Sequence, residues 1–138
     1  MSRKSARARA LQALFQVDMA RADPEIAMAW ILKEFPLAEV NDVAFARRMV
    51  RGTLQHQEEI DTLIRRHSGE WELERLGAVD RNIMRMALYE LLFCPDIPPA
   101  VAIDQAVELA KIYAGGESGS FVNGVLDAVR RARDGEET

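Results

Sequence analysis

The segment Val79–Phe93, VDRNIMRMALYELLF, decides the fold of this chain. On a helix of about 3.6 residues per turn, its apolar side chains cover most of the circumference. A narrow stripe through Arg81, Arg85 and Tyr89, plus Asn82, is polar. A helix that is apolar nearly all round is packed on several sides, so this segment is predicted to be the central helix. It should end before Cys94-Pro95, because a residue that precedes proline avoids helical dihedral angles.

Helical spacing of apolar residues continues along most of the chain, and no segment alternates as a strand would. Before the central helix, three helices are predicted: one over 6–19, one that begins at Asp23-Pro24 and ends at Phe35-Pro36, and one over 43–66. A short turn over 71–77 follows, anchored by Trp71, Leu73 and Leu76. After the central helix come a helix over Ala100–Tyr113 and a last helix with the apolar stripe Val122, Val125, Leu126 and Val129. The predicted fold class is therefore all-α, with a frayed tail after Arg133.

Local residue preferences predict where several of these helices start and bend. Asn41 or Asp42 is expected to cap the helix over 43–66, and Ser118 or Ser120 to cap the last helix, since short polar side chains accept hydrogen bonds from the first free amides. Gly52 lies inside the predicted helix 43–66, where glycine is unfavourable. A kink or a close helix contact is therefore expected at Gly52.

Composition excludes several classes of protein. Of the 138 residues, 49% are apolar, enough for a core, and no window approaches the about 18 apolar residues of a membrane span. A cytoplasmic location is expected, since no signal segment is visible. The single cysteine, Cys94, and the two histidines do not have the spacing of a metal site. The Gly115–Ser120 loop lacks the ending of a phosphate-binding loop. We therefore expect no metal, no cofactor and no enzymatic activity.

Charge is distributed unevenly along the chain. The net charge is −4, but the first 17 residues contain Arg3, Lys4, Arg7 and Arg9 and no acidic side chain. Positive charge at a helix N-terminus is unfavourable to the helix dipole, so helix stability does not explain the cluster. An anionic ligand would explain it, and a solvated helix end is the alternative.

Several short motifs together resemble one family, the transcription antitermination factor NusB family. In chain order they are RKSAR at 3–7, ALQALF at 10–15, VDR at 79–81, ALYEL at 87–91, IP at 97–98, VAIDQAVELAK at 101–111 and FVNGVLD at 121–127. The resemblance covers essentially the whole chain. It implies a compact bundle of about seven helices in two helical subdomains, forming a single RNA-binding domain over residues 1–138. It also implies binding of boxA-type single-stranded RNA with the ribosomal protein NusE, within an RNA polymerase antitermination complex.

The resemblance also assigns site residues. The RNA-binding positions that it implies are Arg3, Lys4, Arg7, Arg9, Glu117 and Phe121. The partner-binding positions that it implies are Phe15, Asp80 and Arg81. Phe121 is either an exposed ring for base stacking or a core residue beside the last stripe. Phe15 stands where the family usually has tyrosine, which keeps packing but removes a hydroxyl.

Three alternatives remain open at this point. A similar domain occurs in ribosomal RNA cytosine methyltransferases, but that reading needs a following cofactor-binding domain with a glycine-rich loop, and this chain ends first. A homodimer module would give the N-terminal charges no role in RNA binding. A helix-turn-helix DNA reader needs a recognition helix with clustered base-reading residues, and none is visible.

Overall fold

A computed structural model describes residues 3–135 of the chain. Within this range the chain forms seven α-helices, one 3₁₀ turn and no strand. The helices are α1 Arg3–Ala20, α2 Pro24–Glu34, α3 Val40–Gln55, α4 Gln57–His67, α5 Ala78–Phe93, α6 Pro99–Tyr113 and α7 Gly116–Arg133, and the 3₁₀ turn is Leu73–Arg75. The all-α prediction is confirmed. Of the tail predicted to be frayed, residues 136–138 lie outside the described range.

The helices form two compact units, as predicted. The first unit ends at Gln55 and contains α1, α2 and α3. The second begins at His56 and contains α4 to α7 with the 3₁₀ turn. The prediction of one functional domain over residues 1–138 is not tested by this division and stays a prediction.

In the first unit, α1 packs against both α2 and α3. The buried side of α1 is rich in alanine, and Ala6, Ala10 and Ala13 are fully buried. The start of α2 is the one predicted, since the Asp23 carboxylate accepts hydrogen bonds from the amides of the first turn and Pro24 is the first helical residue.

The prediction of one helix over 43–66 is wrong, because the chain breaks at His56 and not at Gly52. Gly52 is buried within α3. The His56 ring stacks on the Phe93 ring, with centroids 3.8 Å apart. This contact joins residues far apart in sequence, and the local pattern does not contain it.

The start of α3 also differs from the prediction. The helix begins at Val40, and the amides of Asp42 and Val43 both donate to the Glu39 carbonyl. Asn41 and Asp42 therefore lie within the first turn and do not cap it. An acid in a first turn is nevertheless favourable to the helix dipole.

Helix α5 is the central helix of the second unit and packs against α4, α6 and α7. Every residue from Arg81 to Leu91 is buried. The polar stripe is thus buried as well, which the sequence pattern did not predict. Arg85 is satisfied there by Asp61 of α4, with its Nε and Nη2 atoms 2.8 and 3.0 Å from the two carboxylate oxygens.

Helices α6 and α7 are joined by only two residues, Ala114 and Gly115. Gly115 has a φ of 104°, and its amide donates to the Ala110 carbonyl. Glycine tolerates such a positive φ without steric cost. Because the chain reverses at this residue, α7 starts at Gly116. Ser118 and Ser120 lie inside the helix, and the predicted serine cap is wrong.

Candidate nucleic-acid interface

The basic residues at the start of α1 are arranged around an aromatic ring of α3. The guanidinium carbons of Arg3 and Arg7 lie 4.5 and 5.1 Å from the centroid of the buried Phe45 ring. Cations within about 6 Å of a ring centroid are attracted to its face. Two arginines one turn apart are therefore held on one ring, despite the unfavourable helix dipole.

The four basic residues differ in exposure. Arg3 and Lys4 are exposed, Arg9 is half-buried, and Arg7 is only 3% exposed. Arg9 lies over the Phe35 ring at 5.0 Å and donates to the Gln12 side chain. The charge cluster predicted from the sequence therefore separates into two exposed cations and two that are half-buried or buried.

In the second unit, three predicted site residues line one surface cavity of about 300 Å³. They are Asp80, Glu117 and Phe121, and the rest of the lining is Trp71, Arg75, Leu76, Gly77 and Ser118. Phe121 is half-buried, between the two alternatives that the sequence left open.

Asp80 is fixed at the edge of this cavity by the start of α7. The Ser118 hydroxyl lies 3.1 Å from its Oδ2 atom and donates to it. The Oδ1 atom is buried and has no hydrogen-bond partner among the described residues. Since a buried acceptor without a partner is costly, this oxygen is suited to a donor that arrives with a ligand.

Trp71 was expected to be an apolar anchor, and that expectation is wrong. Its side chain is 60% exposed beside the cavity, while Leu73 and Leu76 are buried as expected. The acids on either side, Glu70 and Glu72, were the available signal that this short segment meets solvent. Trp71 is therefore a candidate site residue that the sequence pattern did not predict.

Arg81, one of the predicted partner-binding residues, is buried. It is 8% exposed, and its Nη1 donates to the carbonyls of Leu73 and Leu76 at 3.3 and 2.9 Å. It thus fixes the 3₁₀ turn that follows Trp71. Its role in partner binding stays a prediction.

Phe15 lies on α1 and is 38% exposed, one turn before Met19, which is 56% exposed. Exposed aromatic and methionine side chains are enriched at protein interfaces. The position is compatible with the predicted partner contact, which stays a prediction.

Two negative findings apply to residues 3–135. No helix in this range is both long and apolar enough to cross a membrane. No group of three or more histidine, cysteine, aspartate or glutamate side chains in the same range is arranged to hold a metal ion.

The ring-held cations of the first unit and the aromatic cavity of the second unit are each typical of helical proteins that bind an anionic, base-bearing ligand. Residues 4–131 match the model of the NusB family. The chain belongs to the NusB family.

Individual relatives agree with this assignment. The transcription antitermination protein NusB of Symbiobacterium thermophilum is 46% identical, over 98% of this chain and 93% of its own length. The structure of T. maritima NusB superposes with a TM-score of 0.87 at 42% identity and covers 95% and 92% of the two chains. A crystal structure of antitermination factors NusB and NusE in complex with dsRNA gives a TM-score of 0.88 at 33% identity and covers 94% and 96%.

Proposed function

We propose that this chain is a transcription antitermination factor that binds boxA-type RNA of nascent ribosomal RNA transcripts together with NusE. It acts in the cytoplasm as a binding component of the RNA polymerase antitermination complex and not as an enzyme. Membership of the NusB family supports the proposal, as does the similarity to a structure of NusB with NusE and dsRNA.

The observation that carries RNA binding is the pair of exposed cations, Arg3 and Lys4, in a helix turn without an acid. The Arg3 guanidinium carbon lies over the Phe45 ring, 4.5 Å from its centroid. A ring contact occupies the face of a guanidinium and leaves its N–H edge, which suits phosphate oxygens. Arg7 and Arg9 then contribute mainly charge and packing.

The cavity of the second unit supplies the base-binding part of the proposal. Phe121 and Trp71 offer ring surface for stacking, which is worth about 1–3 kcal/mol per base. Glu117 is exposed at the same cavity. Its negative charge would weaken RNA binding by repelling phosphates.

NusE binding is assigned to Phe15 and Asp80, with Arg81 acting indirectly. Phe15 and the neighbouring Met19 provide exposed apolar surface. Asp80 offers a buried carboxylate oxygen that has no hydrogen-bond partner within residues 3–135. Arg81 holds the 3₁₀ turn in place through two backbone carbonyls.

The proposal is tested by fluorescence anisotropy of a labelled boxA-type RNA, with and without NusE, at about 50 and about 200 mM salt. We expect binding that is selective for the boxA sequence and tighter when NusE is present. Binding that ignores both the sequence and NusE would reduce the basic helix to a general anion-binding patch.

Matched variants locate the RNA contact. Lys4→Ala should lower the affinity for RNA. It should also reduce the salt slope, the change in log affinity with log salt concentration, by about 0.7 per lost phosphate contact. Lys33→Ala removes the same charge from another exposed position in the first unit and should change neither. Phe121→Ala should weaken binding at least about fivefold, with little change in the salt slope.

Self-association is a second candidate function, because α2 exposes apolar residues. Ile26 and Trp30 are 70% and 53% exposed. They line a cavity of about 300 Å³ together with Gln16 of α1, Ala22 and Ala27. Light scattering of the free protein and of Trp30→Ser tests it. A monomer at all concentrations would reject it.

A further inference from the structure

A second groove lies in the second unit, between α4 and α7 and over the end of α5. Its volume is about 440 Å³, within the range of about 300–1,000 Å³ that is usual for ligand sites. The lining residues are Leu63, Arg66, His67, Leu92, Val129, Ala132 and Arg133. None of them belongs to the proposed RNA or NusE contacts, so this groove needs its own explanation.

The floor of the groove is aliphatic. Leu63, Leu92 and Ala132 are partly exposed, and Val129 is 2% exposed at the base. No phenylalanine, tyrosine or tryptophan is among the lining residues. Unpaired bases are bound by stacking on rings, whereas aliphatic floors accept the apolar side chains of a polypeptide.

The rim of the groove is basic. It carries Arg66, Arg133 and His67, and no acidic residue is among the lining residues, although the whole chain has a net charge of −4. Arg66 is exposed and forms no hydrogen bond or ion pair with the described part of the chain. It is therefore available to a carboxylate from outside.

Arg133 is already oriented at this rim. Its Nη1 donates to the Leu91 carbonyl at 2.7 Å, and its Nε lies 3.1 Å from a carboxylate oxygen of Asp134. Asp134 reduces the charge of Arg133, so Arg66 is the stronger site for an added carboxylate. The backbone contact holds the guanidinium beside the apolar floor.

Helix dipoles explain only part of this arrangement. Arg66, His67 and Arg133 lie in the last turns of α4 and α7, where cations are favourable. The dipole accounts for the sign of the charge. It does not account for an aliphatic groove that stays open between those cations.

We propose that this groove binds an acidic amphipathic segment of a partner protein. Apolar side chains of the segment enter the floor formed by Leu63, Leu92 and Val129, and its carboxylates pair with Arg66 and Arg133. This site is additional to the RNA and NusE contacts and would let the protein hold a further component while RNA is bound.

The probe for this proposal is a labelled helical peptide with leucine at i, i+3, i+4 and i+7 and glutamate at most other positions. Two control peptides replace every glutamate by lysine or every leucine by serine. Anisotropy should show binding of the first peptide alone. Methyl NMR shifts should change at Leu63, Leu92 and Val129.

Two neighbouring arginines provide matched variants. Arg66→Ala should weaken binding of the acidic peptide about fivefold. Arg65→Ala removes the same charge from the same helix end, but Arg65 faces Glu74 at 3.2 Å and is not among the lining residues. It should leave affinity within about twofold.

Three results would overturn the proposal. Equal losses in Arg66→Ala and Arg65→Ala would indicate general electrostatic attraction. Equal binding of the serine-containing peptide would remove the role of the floor. Displacement of the acidic peptide by boxA-type RNA, with the same methyl shifts, would make the groove part of an RNA surface.

Discussion

Arg3 of α1 and the arginines of α5 are anchored by different partners. The Arg3 guanidinium carbon lies over the Phe45 ring, whereas Arg81 and Arg85 donate to oxygen atoms. A ring holds a guanidinium without using its N–H groups, but carbonyls and carboxylates consume them. Anchoring by a ring can therefore position an exposed arginine for an external ligand, and anchoring by oxygen stabilises the fold.

The largest loss of stability is expected on removing an arginine that is buried together with a carboxylate. Arg85→Met leaves the Asp61 carboxylate, whose side chain is 10% exposed, without its bidentate partner. We expect the free energy of unfolding to fall by about 3–5 kcal/mol, measured by urea denaturation. The double variant Asp61→Leu with Arg85→Met should recover most of the loss, and no recovery would contradict this account.

A smaller loss is expected where an arginine is held by carbonyls. Arg81→Met removes the donor that serves Leu73 and Leu76, at an expected cost of about 2–3 kcal/mol in unfolding free energy. Hydrogen exchange should increase first in the 3₁₀ turn. Unchanged exchange at the Leu76 amide, which donates to Leu73, would show that Arg81 does not hold the turn.

Removing the ring tests the other kind of anchoring. Phe45→Leu should lower the free energy of unfolding by about 1–2 kcal/mol, since it loses apolar contact and the cation–π attraction. RNA affinity should fall while the salt slope stays, because the charges remain. A double-mutant cycle with Arg3→Gln measures the coupling, and purely additive effects would argue against the ring's role.

The smallest loss of stability is expected on removing one partner of an exposed ion pair. Arg51 donates two hydrogen bonds to Glu25 at 2.9 Å, which hold the pKa of that carboxyl below its ordinary value of 4.5. A lowered pKa stabilises the fold above the ordinary value, and this contribution is lost as the pH falls through the lowered one.

Thermal unfolding of Glu25→Gln across pH measures this contribution. The variant should be slightly less stable than the parent at neutral pH and equal to it in acid. High salt should shrink the difference, because exposed pairs are screened. A difference that persists in acid would have another origin.

Local chemistry in the sequence was enough to predict much of the fold. The start of α2 was predicted from Asp23-Pro24, and the end of α5 from Cys94-Pro95. Proline and capping residues act on their immediate neighbours, so their effect is readable from a single chain. The motif resemblance then supplied the two-unit division and the family.

What the sequence did not predict depends on contacts between distant residues. The break at His56 accompanies its stacking on Phe93, and the burial of Arg85 depends on Asp61. The charge cluster of α1 was visible, but the burial of Arg7 was not, since it follows from where α3 places Phe45. The acidic neighbours of Trp71 were the only feature of the sequence that indicated its exposure.

The two-residue link at Gly115 also bears on how the chain folds. Helices α6 and α7 are adjacent in sequence and packed together, so their docking closes a very short loop at little entropic cost. Contacts of such low sequence separation favour early formation. We expect this helical hairpin to be structured in the folding transition state, with Gly115→Ala slowing folding more than it speeds unfolding.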